Sequence, residues 1–89
     1  MKAIVSVIGR DRTGIIAKVS GKLYEMNVNI EDISQTVMQS AYFTMIMMIT
    51  LPDGVGVSDV NAALAPVAAE LGVEIRAQHE DIFNSMHRI

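Results

Sequence analysis

The 89-residue sequence has no cysteine and no tryptophan, and only two tyrosines and two phenylalanines. Without cysteine, disulfides, thiolate catalysis and thiolate-ligated zinc are excluded. Positive charge is scarce as well: seven Lys and Arg stand against ten Asp and Glu, for a net charge of −3. Binding to a nucleic-acid backbone or an anionic membrane surface needs clustered Lys and Arg, so neither is an expected partner. Long apolar runs are also missing. The longest, Phe43 to Leu51, is about nine residues and includes two threonines, whereas a helix needs roughly twenty to span a bilayer. Strand-like alternation starts at residue 2 in place of a basic-then-apolar leader, and a cytoplasmic setting is expected.

What the sequence has in quantity is aliphatic residue. It is 51% hydrophobic and 19% charged, which argues for a folded chain. The length fits one domain. A chain this short buries only roughly 60–65% of its unfolded surface, so association is a common remedy.

The pattern of these residues orders the elements. Residues 2–9 alternate, with Ala3, Val5 and Val7 on one face and Ile4, Ser6 and Ile8 on the other, and Gly9 is the expected break. Ile15, Ile16, Val19, Leu23 and Met26 recur at helical spacing. Asp11 or Thr13 is in position to cap that helix, and Asn27 to stop it. Residues 28–39 read as a strand with a bulge near Glu31-Asp32, because Ile30 and Ile33 break the alternation. In residues 41–51, Phe43, Met45, Met47, Ile49 and Leu51 share a face; a hairpin joins this strand to the last.

Pro52 and Gly54 mark a turn, at its second and fourth positions. Val57, Val60, Leu64, Val67, Ala68 and Leu71 form a second helical stripe, with Ser58 as N-cap and Gly72 as stop. Pro66 within it predicts a kink or a late start. Residues 73–79 alternate again. In residues 80–89, Ile82, Phe83, Met86 and Ile89 lie on one side of a predicted short helix.

The order β-α-β-β-α-β predicts an α+β ferredoxin-like sandwich: a four-stranded antiparallel sheet with two helices on one face, over residues 1–79, followed by a helical tail over 80–89. Ile4, Ile8, Ile46 and Met48 then lie on the face away from the helices. A free face would be more polar, so a partner subunit, the tail or both should cover it.

Gly9-Arg10-Asp11-Arg12-Thr13-Gly14 has the glycine spacing of a phosphate-binding loop. Ile15 and Ile16 stand where that loop needs Lys and Ser/Thr, and Asp11 would repel phosphate. What remains is a strand–turn–helix junction. Its backbone amides suit a carboxylate and Asp11 suits an ammonium, so together they suit a zwitterion. The alternative is that Asp11 simply caps the helix. The methionines at 45, 47 and 48 cannot converge as a copper site, because alternation divides them between faces. His79 and His87 lie two helical turns apart, too far to chelate one metal. No catalytic set of Ser, His and Asp stands out.

"GRDRTGIIAKVSGKLYEMNVNIEDISQ" resembles the signature of the ACT domain, a small regulatory module. The matching residues are Asp11, Gly14, Ile15 and Val28-Asn29-Ile30, and the resemblance spans roughly residues 2–79. The tail resembles that of small standalone ACT proteins, and the chain is similar, more distantly, to one half of the glycine cleavage system transcriptional repressor. The resemblance implies a non-catalytic module that binds an amino acid at a subunit interface and regulates a protein partner. It implies a ligand site of Asp11, Arg12, Thr13 and Gly14, with Asn29 and Ile30 beside them, and no cofactor or metal. Thr13 stands where the family often has Pro, and Gly9 where serine-sensing members place a polar side chain.

Two other readings stand beside this one. The chain is a pure dimerisation or interaction module, with Ile82, Phe83, Met86 and Ile89 in the interface. Or it is a small enzyme acting near His79 or His87, which would need Arg76, His79 and Glu80 to converge in a deep pocket.

Overall fold

Strict alternation in three of the four strands settles which side of the sheet is buried. Ala3, Val5 and Val7, with Met45, Met47 and Ile49, lose all contact with solvent. A computed structural model describes residues 1–38 and 41–81. The order is β1 (Lys2–Arg10), α1 (Ile15–Glu25), β2 (Asn29–Met38), β3 (Tyr42–Thr50), α2 (Val57–Leu71) and β4 (Val73–His79). The strands form one sheet in the order β2-β3-β1-β4. All three pairings are antiparallel. This is the ferredoxin-like sandwich expected from the sequence. The tail residues Ile82, Phe83, Met86 and Ile89 lie outside the described residues.

Both helices bury their stripes on one face of the sheet. Ile15, Val19 and Leu23 of α1 and Val60, Leu64 and Leu71 of α2 join the strand residues in a single core. Each such side chain contributes roughly 1.5–3 kcal/mol of burial. Ile16 leaves the stripe and is exposed.

The helix ends follow local chemistry. After α1, Asn27 takes φ 59°. Its N–H donates to the Tyr24 carbonyl at 3.0 Å, and the Val28 N–H reaches the Leu23 carbonyl at 3.0 Å. This is a Schellman closure with Asn in the left-handed position. The bulge falls between Ile30 and Asp32, as the broken alternation predicts.

Several expectations are corrected. Gly9 does not end β1: it pairs with Phe43 and Val73 inside the strand. A Cβ there would lie 2.6 Å from Val73 Cγ1, so close approach of the two strands is what selects glycine. The α1 N-cap is Gly14, at φ 93°, rather than Asp11 or Thr13. The α2 N-cap is Gly56 rather than Ser58, and the Asp59 carboxylate accepts its N–H at 2.8 Å. The turn after β3 runs one position later than predicted. Pro52 supplies the accepting carbonyl to Val55 N–H at 3.2 Å, and Gly54 takes the third position at φ 85°. Pro66 causes no late start, since α2 runs from Val57 through it to Leu71.

The two sheet edges differ. At β4 the Asn61 amide, from α2, donates to the Ala77 carbonyl at 3.0 Å and accepts the Ala77 N–H at 2.8 Å. It thereby occupies outer-edge backbone groups that would otherwise template another strand. At β2 the Ile33 N–H is taken by Asp32 Oδ1 at 2.9 Å, and the strand carries Ile33, Val37 and Met38 exposed. No helix among the described residues is long and apolar enough to cross a membrane.

Candidate functional site

The β1–α1 loop, residues 11–14, is anchored through Asp11 and Arg12. The Asp11 N–H donates to the Ala41 carbonyl at 2.8 Å, which ties the loop to the β2–β3 hairpin. Arg12 Nη1 lies 3.4 Å from the Glu70 and Leu71 carbonyls. It therefore sits on the negative end of α2, where a cation is favoured. Lys18 pairs with the Glu70 carboxylate beside it. Sequence reasoning missed this role for Arg12, because the partners lie 58 and 59 residues away.

The start of α1 is left open. Gly14 has no side chain, and no side-chain hydrogen bond caps the helix. The first intrahelical bond runs from Lys18 N–H to the Gly14 carbonyl at 2.9 Å. The amides of Ile15, Ile16 and Ala17 are thus the orphan donors of the helix. The first turn holds no acidic residue. The Asp11 carboxylate is exposed, and it is not a cap; nor is Thr13. An amide cluster at a positive helix end, flanked by an uncommitted carboxylate, is a geometry suited to carboxylate and ammonium together.

Asn29 and Ile30 lie elsewhere in the chain. Asn29 pairs with Thr50, which pairs with Lys2 at the first position of β1. The loop follows Arg10, at the last position of that nine-residue strand. At about 3.3 Å per residue, the two sets are roughly 25 Å apart along the sheet. Ile30 packs against the core. Near Asn29, Lys2 lies 3.8 Å from the Glu31 carboxylate, which also accepts from the Thr50 hydroxyl. Within one chain the predicted site is therefore divided between opposite ends of the sheet.

Among the described residues the rival sites do not assemble. Met45 and Met47 are wholly buried core, while Met48 lies on the other face. Among the described residues no three potential metal ligands of the His, Cys, Asp and Glu types come together. His79 Nδ1 accepts the Asp81 N–H at 3.1 Å and lies 3.6 Å from its carboxylate. His87 lies outside the described residues. Ser6, Ile8, Thr44, Ile46 and Arg76 line a shallow groove of about 590 Å³, but His79 and Glu80 are not in its wall.

Comparison with known proteins gives a consistent result. The family model described as "ACT domain" matches residues 2–78. A UPF0237 protein of Clostridium acetobutylicum is 54% identical, with both chains covered over 100% of their length. The solved ACT domain protein of Streptococcus pneumoniae is 40% identical with a TM-score of 0.81, over 93% of each chain. A protein described as a glycine cleavage system transcriptional repressor shares the fold, at 19% identity and a TM-score of 0.75, over 86% of this chain and 44% of that one.

Proposed function

The chain belongs to the ACT domain family, and on that premise we propose that it is a non-catalytic regulatory module that binds an amino acid as a homodimer. The observation that carries this reading is the open start of α1 beside the uncommitted Asp11 carboxylate. The amides of Ile15, Ile16 and Ala17 receive the ligand's carboxylate, and Asp11 its ammonium. Arg12 serves to hold the loop on α2, and Thr13 and Gly14 shape its rim.

The divided site supports the dimer. Asn29 cannot reach the loop of its own chain, so it contributes only to the loop of another copy. Of the two sheet edges, β4 is blocked at Ala77 by Asn61 and β2 carries exposed apolar residues. Antiparallel pairing of β2 with β2 of a second copy sets Asn29 of one against Met38 of the other. That brings Asn29 to the same end of the sheet as the partner copy's loop. Its side-chain amide offers the ligand both a donor and an acceptor. Ligand occupancy thereby reports on assembly, and the regulated protein reads that state in the cytoplasm.

Thermal unfolding against a panel of the twenty amino acids tests the reading. One or a few should raise the transition, by about 2.7 kcal/mol of stabilisation at a hundred times Kd. Asp11→Ala should abolish that rise. No stabilisation at millimolar concentration rejects ligand binding. The open β2 edge then favours the second reading, a pure dimerisation module, which light scattering separates: a dimer without ligand response supports it, and a monomer rejects both.

A further inference from the structure

The two edges of the sheet are closed by different means. At β4 the Asn61 amide comes from α2 and holds both backbone groups of Ala77. At β2 the closing group is Asp32, which holds only the N–H of its own neighbour, Ile33, at 2.9 Å. Asp32 is exposed, so a turn of one side chain releases that N–H.

The ladder fixes which groups of β2 lie open. A residue inside an antiparallel ladder directs its N–H and C=O to one side only. Ala77 gives both to Asn61, so Val5, opposite it in β1, bonds across to Met47 of β3. The bonds flanking that pairing keep the same phase: Leu51 N–H to the Met1 carbonyl at 2.8 Å, and Asp11 N–H to the Ala41 carbonyl at 2.8 Å. Met47 therefore has nothing left for Ile33, its partner in β2. Ile33, Gln35 and Val37 turn their backbone groups off the edge, while Asp32, Ser34 and Thr36 bond inward.

Nine residues of β2 pair with β3, and Ser34 is the fifth of them. Full antiparallel overlap with a second copy thus places the two-fold axis at Ser34. It sets Ile33 of one copy against Gln35 of the other, and Asp32 against Thr36. Ile33 and Gln35 exchange backbone bonds. Asp32 and Thr36 form a non-hydrogen-bonded pair, where side chains come closest. No two charges of one sign face each other in the paired positions. An axis at Asp32 would oppose two carboxylates, and one at Gln35 would set Asp32 against Met38.

We propose that Asp32 is a latch on the β2 edge, and that the partner which opens it is a second copy of this chain. In the single chain the carboxylate closes the Ile33 N–H. On pairing, that N–H passes to the Gln35 carbonyl of the other copy, and the carboxylate passes to the other copy's Thr36 hydroxyl. Each group exchanges one hydrogen bond for another, so a strand without a hydroxyl at that position is disfavoured and this one is accepted. The inference rests on the homodimer reading above and adds the groups that select the partner.

Sedimentation measures the monomer–dimer Kd of four full-length proteins: the unaltered chain, Thr36→Val, Asp32→Ala and the double variant. Both positions are exposed, so neither change threatens the core. Within one chain they stand about 13 Å apart along the strand, too far to touch. Thr36→Val should weaken the dimer at least about fivefold, because the carboxylate then gives up Ile33 for nothing. In the Asp32→Ala background the same change should leave Kd within about twofold. A dimer in which Thr36→Val costs the same in both backgrounds overturns the latch and leaves the homodimer standing. So does an Ile33 amide that exchanges with deuterium no more slowly above Kd than below it. A chain that stays monomeric at millimolar concentration overturns the homodimer reading and the latch together.

Discussion

The two helices begin in different ways. α2 closes its own start: Asp59 folds back to accept the Gly56 N–H, placing a carboxylate at the positive end of the helix. α1 begins at a left-handed glycine with no side-chain cap and no acid in its first turn. The nearest carboxylate in sequence, Asp11, precedes the helix and is not used as a cap. One start is complete as a structural element. The other leaves its first amides without a side-chain cap and the Asp11 carboxylate off the helix. Where a fold satisfies one of two equivalent positions and leaves the other open, the open one is the place to look for a ligand.

Six substitutions test this contrast. Gly9→Ala should do the most damage. It sets a methyl 2.6 Å from Val73 Cγ1 and 3.0 Å from Val73 Cα, on the strand that delivers the open start. Overpacking of this kind costs about 1–3 kcal/mol, read as a lower midpoint in urea. Gly14→Ala should cost about 1–2 kcal/mol, because φ 93° suits glycine. The same change at Gly56 should stay within about 0.5 kcal/mol, since φ there is −105° and the nearest side-chain atom is 3.7 Å away. Equal costs at the two glycines would remove the distinction between the starts.

Asp59→Ala should lower stability by about 0.5–1 kcal/mol, as loss of a capping carboxylate does. Asp11→Ala should leave the unfolding midpoint almost unchanged and act only on ligand response. A loss at Asp11 equal to that at Asp59 would make it a cap and close the α1 site. A modest loss is expected at Arg12→Ala, about 0.3–1 kcal/mol from the carbonyl end of α2. It should be reduced in high salt, because the contact is largely exposed.

Much of this architecture was legible in the sequence. Alternation in residues 2–9, 41–51 and 73–79 identified the buried face of three strands, and Ile15, Val19, Leu23, Val60, Leu64 and Leu71 the buried sides of both helices. The bulge, the left-handed Asn27 and the Gly72 stop were visible as local exceptions to period or as residues that tolerate positive φ. The caps were not. Glycine at an N-cap gives no positive signal, and Ser58 and Asp11 looked like better candidates. Gly9 reads as a break in the sequence because the close approach of Val73 comes from a strand remote along the chain.

The candidate site divides along the same line. Its loop could be identified because glycine spacing and Asp11 are local. Its relation to Asn29 could not, because the Asn29–Thr50–Lys2 pairing is set by two strand registers. Sequence by itself determined the element order, the buried faces and the family of this protein, since each is written in short-range periodicity or in a local motif. Only the tertiary structure decided that Arg12 is held by α2, that Asn61 blocks the β4 edge at Ala77, and that Asn29 lies at the far end of the sheet from Asp11. Those facts depend on which distant backbone groups the chain brings within about 3 Å, and on the register that sums over the whole sheet.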